Sequence, residues 1–462
     1  MKAEQNPWSP YEASAADPWD HRKVAHLHRR AGFGATRGEI ERDLAAGPAA
    51  SIARFLEPEP EPQAFRQISD ALRRAAEGGE RDYSRSPEEL ASWWLFRMAY
   101  GPDPLGEKLT LFWHGHFATA IHGVYRRHLM TKQNELLRKH ARGRFGDLLR
   151  AIEADPAMLI WLDGGANHKN HPNENFAREL LELFTLGIGN YSEQDVREAA
   201  RALTGWRRDR ESILLNETDD FTYEEDLADT GEKNFLGQRG PWRKDDVMRI
   251  ILGQPAAAQH ICRRLYRAFV SEAAEPSAEL IEPLAAEFRA SDYSIGHVVG
   301  IMLRSRHFFS PDVYRRRVKS PVDYCVGTIR QLALPRSPGL LMLAVTSCQE
   351  QGQALFDPPS VKGWDGGAAW LSSATTLARM NWVVELLNGN ESSGLAPYDG
   401  AAWAKANNVA AGQLVAAYTA LLVDDDVSAG TRELASQLAG SDATHITAAL
   451  QVLLQAPEHS LA

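Results

Sequence analysis

The chain has 462 residues, of which 44% are hydrophobic, 24% charged and 9% aromatic. This ordinary globular composition excludes a collagen, a low-complexity disordered chain and a disulfide-stapled miniprotein. With 51 Lys and Arg against 61 Asp and Glu, the formal net charge is −10, which disfavours unspecific binding to nucleic acid or anionic lipid.

The three cysteines, Cys262, Cys325 and Cys348, are far apart and lack a CxxC, so neither a disulfide framework nor a cysteine zinc site is expected. Met1–Trp19 is polar and acidic, without the apolar segment of a signal peptide, and reads as a flexible tail over 1–20. The longest apolar runs, such as Val415–Val423, are far short of the roughly 20 residues a bilayer needs. A cytoplasmic protein without a membrane span is the expectation, with a removed leader left open.

Along the chain, Thr36 with Glu39 forms a capping box that opens a helix over roughly Arg37–Ala46, stopped by Gly47. Glu57–Pro62 alternates Glu and Pro and reads as an extended loop. From about Pro87 the helical period returns through Leu90, Trp93, Trp94, Phe96 and Met98, and again through Leu105, Leu109, Phe112, Trp113 and His116. Phe176–Phe184 predicts a helix ended by Gly187, and Ser192 with Asp195 starts another that ends at Gly205. Glu211–Gly240 lacks a helical period and reads as an acidic loop region with room for a short hairpin near Phe221–Tyr223. Helical patterns resume at Asp245–Leu252, Ala257–Val270, Ala278–Ala290 and Ile295–Ser305; Phe356–Gly367 is irregular, and the chain is helical again from about Ala401. The fold expectation is all-α: one large multi-helical domain (21–395) with long loops and at most a small hairpin, and a C-terminal helical segment (396–462) packed on it.

Four stretches could carry chemistry. Trp113-His114-Gly115-His116-Phe117 holds an HxH pair. On a helix two such rings point about 200° apart and share no metal. The preceding period puts His116 on the core side and His114 away from it, whereas a break at Gly115 would let both converge. Asn173–Phe184 places Glu174, Arg178 and Glu182 on one helix face, with Glu179 beside them and Asn173 and Asn175 at its start; this is either a solvated ion-pair ladder or the carboxylate wall of a cleft. Asp229 and Lys233 lie in a turn-rich loop without EF-hand spacing. Trp364 and Asp365 sit in a Pro- and Gly-rich loop followed by Arg379 and Asn381; aromatic faces beside carboxylates and amides suit sugar-like or peptide-like ligands. Trp206 lies next to Gly205 and joins this set. No Walker A, dinucleotide fingerprint, GxSxG elbow or kinase motif set is present, so no nucleotide is expected.

Together, His26–Thr36, Leu109–Thr119, Asn173–Gly187, Tyr191–Trp206, Lys233–Gly237, Lys319–Pro321 and Pro358–Trp370 resemble the bacterial domain-of-unknown-function family numbered 1800, over roughly residues 20–385. The resemblance implies no settled activity. It implies frequent export and a partner from a family related to alkaline phosphatases and sulfatases. The family commonly shows a His-Asp pair where this chain has Ala228-Asp229, which puts any role of that histidine in doubt here.

Two functions stand side by side. One is an enzyme, of hydrolase type, with His114, His116, Glu174, Glu179, Glu182 and Asp229 as acid–base groups and Asn173, Asn175, Arg178, Lys233, Trp206, Trp364, Asp365, Arg379 and Asn381 binding a polar, glycan-like or polymeric substrate. A divalent metal would assist one variant of it. The other is a non-catalytic binding or assembly protein holding a glycan or peptide in the same cleft.

Overall fold

The computed structural model describes residues 6–78, 87–208, 221–438 and 443–462. Its first half comprises α1 (His21–Ala31), α2 (Arg37–Leu56), α3 (Gln63–Glu77), α4 (Glu88–Tyr100), α5 (Pro104–His116), α6 (Ile121–Val124), α7 (Arg127–His140), α8 (Phe145–Glu153), α9 (Pro156–Trp161), α10 (Glu174–Glu179) and α11 (Glu193–Ala202). Two antiparallel hairpins follow, β1 (Trp206–Arg208) with β2 (Phe221–Tyr223) and β3 (Lys233–Phe235) with β4 (Gln238–Gly240). Then come α12 (Lys244–Leu252), α13 (Pro255–Phe269), α14 (Ala278–Ala290), α15 (Ile295–Arg304), α16 (Pro321–Gln331), α17 (Pro338–Glu350), α18 (Ser373–Asn388), α19 (Gly400–Ala406), α20 (Leu414–Val423), α21 (Ala429–Gln437) and α22 (Ala443–Leu454). The architecture is mainly α, and no helix among the described residues is long and apolar enough to cross a membrane. The acidic stretch at 209–220 lies outside the described residues.

Local chemistry explains the boundaries. The Thr36–Glu39 capping box forms with both reciprocal bonds, Thr36 N–H to Glu39 Oε2 at 2.8 Å and Glu39 N–H to Thr36 Oγ1 at 3.2 Å. Gly47 takes φ +79, so the expected stop is real, but Pro48 restarts the helix at once and α2 continues as a kinked element to Leu56. Beyond α10 the chain widens into a π-helical turn over Leu180–Thr185, where the Leu186 N–H donates to the Leu181 carbonyl five residues back.

Two hydrophobic cores meet along α5. Leu105, Leu109 and Trp113 enter a core with α7, α8 and α11–α15, while Leu111 enters a second core with α4, α16–α18, α20 and α22. The segment after residue 395 contributes Trp403, Tyr418, Leu422 and Leu453 to that second core. Residues 6–20 are not a free tail: Trp8 and Tyr11 are buried, and the Trp8 indole donates to the Leu280 carbonyl at 2.9 Å. The polarity of this stretch hides two aromatic anchors spaced too sparsely to register as a helix or strand.

Charge is buried deliberately in several places. α1 buries four polar side chains within five residues: His26 donates to the Phe308 carbonyl (3.0 Å), His28 meets Asp43, Arg29 grips Asp424 with two bonds of 2.9 and 2.7 Å, and Arg30 donates to the Val270 carbonyl at 2.7 Å. Lys108 on α5 pairs with Asp323 on α16. Glu107, also on α5, accepts from Arg97 and Arg138 (each 2.8 Å) and from the Trp94 indole (2.9 Å). Burial alone would push the Glu107 carboxyl up; the two guanidiniums outweigh it and hold it down at about 2.

Removing one member of such a buried set leaves unpaired charge. Glu107→Gln is expected to lower unfolding free energy by about 3–5 kcal/mol, read by denaturant melts at pH 7. Because the folded value lies below that of the unfolded chain, this contribution is complete above about pH 4.5 and is lost as pH falls toward 2, so the variant loses part of the wild-type acid sensitivity in that window.

Candidate functional site

The end of α4, the start of α5, kinked α2 and the end of α16 enclose an open cleft of about 860 Å³. That is within the range of small-molecule sites. His28, Thr36, Glu39, Arg54, Tyr100 and Arg330 are among its lining residues. Phe55, Pro102, Pro104 and Leu334 give it apolar surface.

His28 is the imidazole of this wall. Its Nε2 donates to Asp43 Oδ2 at 2.7 Å, and Asp43 is fully buried. Arg42 Nε reaches Asp43 Oδ1 at 3.1 Å, and Arg54 bonds the same oxygen. Burial would raise the Asp43 carboxyl, but the hydrogen bonds from His28, Arg42 and Arg54 prevail and hold it well below the usual carboxylate range. A permanently ionised carboxylate therefore orients the imidazole. Glu39 is engaged twice, by the Thr36 cap and by Arg330 at 2.9 Å, and its carboxyl stays ionised because these partners overcome its burial. Burial pushes the Tyr100 phenol up to about 12, and its hydroxyl donates to the Leu334 carbonyl at 3.2 Å.

His28, Glu39 and Thr36 lie inside or beside the His26–Thr36 motif, where sequence reasoning saw a turn and a helix cap. The signal available was compositional: α1, His21-Arg-Lys-Val-Ala-His-Leu-His-Arg-Arg-Ala31, is too polar to be anchored by its apolar residues alone. Nothing local points to Asp43, fifteen residues on and across a turn.

The residues singled out from the sequence fall into separate neighbourhoods. His114 and His116 are both buried, which corrects the expectation that His114 faces away from the core. The loop at Phe356–Trp364 covers that side of α5: the Phe356 N–H donates to His114 Nε2 at 3.2 Å, and Trp364 lies 5.7 Å from the imidazole. Gly363 seats the loop at φ +78, where a Cβ would stand 2.2 Å from the Gly115 carbonyl oxygen. His116 Nε2 instead donates to the Phe184 carbonyl at 3.0 Å, and His260 does the same to Leu183 at 3.0 Å. Thus the two histidines latch two different motifs onto α5. Burial pushes His114 down to about 4 and His116 well below its usual value, so both are neutral.

Next to this latch, Glu179 and Glu182 lie on the turn from α10 into the π-helix. Burial and the Glu182 charge raise the Glu179 carboxyl, with Arg178 and, less strongly, Lys362 of the Trp364 loop opposing. Glu182 accepts from the Tyr191 hydroxyl at 2.7 Å. The predicted ladder exists only in part: Arg178 pairs with Glu174 at 3.0 Å and with Glu193 at 2.8 Å. Asn173 caps α10 by accepting from the Asn175 N–H at 2.9 Å, and the Asn175 amide reaches Asp163 at 3.3 Å.

The remaining candidates lie elsewhere. Trp206 donates to Glu153 at 2.6 Å, lies under Lys244, and lines a cavity of about 10 Å³ with Asn173. Asp229 pairs with Arg201 at 2.8 Å and caps the Gly231 N–H at 2.8 Å; Lys233 is buried and donates to the Asp229 carbonyl at 2.7 Å, which clasps the loop. Arg379 is buried and donates to the Lys319 carbonyl at 2.7 Å, while Asp365 and Asn381 are exposed. Among the described residues, no group of three or more His, Cys, Asp or Glu side chains could hold a metal ion.

The latch has a pH signature. The folded His114 value of about 4 lies below its ordinary 6.5, so only the unfolded chain takes up this proton between those limits, and stability falls as pH falls through that window. A shift of this size corresponds to roughly 3 kcal/mol. His114→Leu is expected to show a shallower stability slope between pH 6.5 and 4, and at pH 8 to lose about 1–3 kcal/mol for the orphaned Phe356 amide. Chemical melts across that range read both effects.

No curated protein and no solved structure matches this chain. A family model does, from residue 26 to residue 461, which carries the relationship past the Trp364 loop through the C-terminal helices. It therefore includes the second half of α1 with His28, most of both cores and the cleft, and the chain belongs to the family described as Protein of unknown function (DUF1800).

Proposed function

We propose that the chain is an acid–base enzyme of hydrolytic type, acting on a polar, glycan-like substrate in the cleft against His28. The observation that carries this reading is the 2.7 Å bond between His28 Nε2 and the buried Asp43 carboxylate at the wall of a cleft of about 860 Å³. With Nε2 engaged, Nδ1 is the ring position left to accept and return a proton. Asp43 fixes the ring orientation and stabilises the imidazolium that forms when the ring takes a proton, the part a buried carboxylate plays in Ser-His-Asp sites. An attacking water would give its proton to the ring, and the ring would pass it to the leaving oxygen. The mixed lining, with Arg330, Glu39 and Arg54 beside Phe55 and Pro102, suits a ligand with hydroxyls on its edges and apolar faces. This reading moves the acid–base role away from His114 and His116, which are neutral, lie outside the lining of the cleft and are committed to backbone partners.

A second reading has its own support. Glu179 and Glu182 beside Lys362 and Trp364 make a half-open carboxylate and aromatic surface that would hold a glycan or peptide without turnover. A partner related to alkaline phosphatases and sulfatases, as the family resemblance implies, would supply the chemistry in that case.

A panel of glycosides and glycan oligomers separates the two. Under the first reading, His28→Gln and Asp43→Asn lower any turnover found by about 10²–10⁴-fold while Glu179→Gln leaves it nearly unchanged. Saturable glycan binding without turnover, abolished by Glu179→Gln and retained in His28→Gln, favours the second.

A further inference from the structure

α18 is apolar on two sides. Its inner face puts Ala378, Trp382, Val383, Leu386 and Leu387 against the second core. Its outer face carries Leu377 and Met380, 58% and 41% exposed, with half-buried Val384 a turn further on. Leu371, 43% exposed, lies in the turn that leads into the helix. Of the seven large apolar side chains left exposed among the described residues, three therefore belong to this one stretch. Single exposed side chains need no explanation, whereas a contiguous stripe marks a contact surface. Charge is also missing from it: α18 carries only Arg379, which is buried, and Glu385. A helix that is apolar all round is normally covered on both sides.

The stripe has the form that fits a helix. Leu377, Met380 and Val384 recur at alternating steps of three and four residues, the seam along which one helix packs on another. The seam holds no ion, so an identical face meets it without burying a charge. Glu385 sets the direction. Its carboxylate is exposed and without a partner among the described residues, and it lies near the C-terminal end of α18, where the helix dipole disfavours it. In an antiparallel pair each Glu385 comes to the N-terminal turn of the other helix, whose leading amides carry partial positive charge. A parallel pair would set the two carboxylates side by side.

We propose that the outer face of α18 is a homodimer interface, in which two copies of the helix pack antiparallel across a two-fold axis beside Met380. Leu377 of one copy then faces Val384 of the other. Such a contact uses one patch twice and closes on itself. A single helix face is a small interface, so the pair exchanges reversibly with the single chain. None of these residues lines the cleft, and the test depends on no activity.

The full chain is followed by sedimentation equilibrium over a wide range of concentration. Its mass is expected to rise from that of one chain toward that of two. Leu377→Glu puts a charge in the seam and is expected to hold the mass at one chain throughout, with an unchanged melting curve because the side chain is exposed. Glu385→Gln is expected to weaken the antiparallel pair about tenfold, whereas it would tighten a parallel one. Crosslinking reads the geometry, because the three native cysteines are buried. Met380→Cys is expected to link to its own copy under diamide and Ser373→Cys is not, a readout that stands even if Leu377→Glu does not fold. The mass of one chain at every concentration, a dimer that survives Leu377→Glu, a pair tightened by Glu385→Gln, or linkage through Ser373→Cys in place of Met380→Cys would each overturn the proposal.

Discussion

The burial of α1 is the constraint on which the rest of the structure depends. A helix that carries His26, His28, Arg29 and Arg30 into the interior exacts several kcal/mol for each ion removed from water unless partners meet it. Those partners come from far along the chain. Arg29 closes on Asp424, 395 residues away, Arg30 on the carbonyls of Val270 and Val313, and His26 on that of Phe308. Each requirement fixes one more segment around the same helix. The C-terminal helices, the segment before α16 and the end of α13 thus converge on a hub that no single apolar core would define.

The same helix positions the candidate chemistry. His28 immediately precedes the buried Arg29 and Arg30 and is held by Asp43, so its ring orientation is set by the packing that fixes α1. Around it, α2 is bent at Gly47 and closes one side of the cleft, while α4, α5 and α16 form the other. A rigid hub and an open wall on one short helix are the combination that a preorganised acid–base group needs. His114 and His116 do different work. Each spends a ring nitrogen on a backbone group of another motif, so the HxH pair ties the Trp364 loop and the π-helical turn to α5.

What was legible in the sequence follows from what is local. Helix periods, the Thr36–Glu39 box and the Ser192–Asp195 cap depend on residues three or four apart, and the corresponding helices form as read, down to Ala278–Ala290. The irregular Phe356–Gly367 stretch and the strand at Phe221–Tyr223 were likewise visible in turn residues and lost periodicity. Residues whose partners are distant were misjudged. Arg379 looked like a ligand-binding cation beside a tryptophan-rich loop, yet it is buried against Lys319 and Tyr324. Trp8 and Tyr11 looked like part of a tail because their partners are Leu280 and Arg304. The His28–Asp43 pair was invisible for the same reason: a helical face does not disclose which carboxylate a later kink will bring to it.

A structure with bound ligand tests the central claim most directly. The glycoside or glycan oligomer that binds best in solution is soaked into crystals of the wild-type protein. The account predicts ligand density in the cleft, with a scissile or exchangeable oxygen within hydrogen-bond reach of His28 and Asp43 unmoved behind it. Density seated instead on Glu179, Lys362 and Trp364, with the cleft empty, would contradict it.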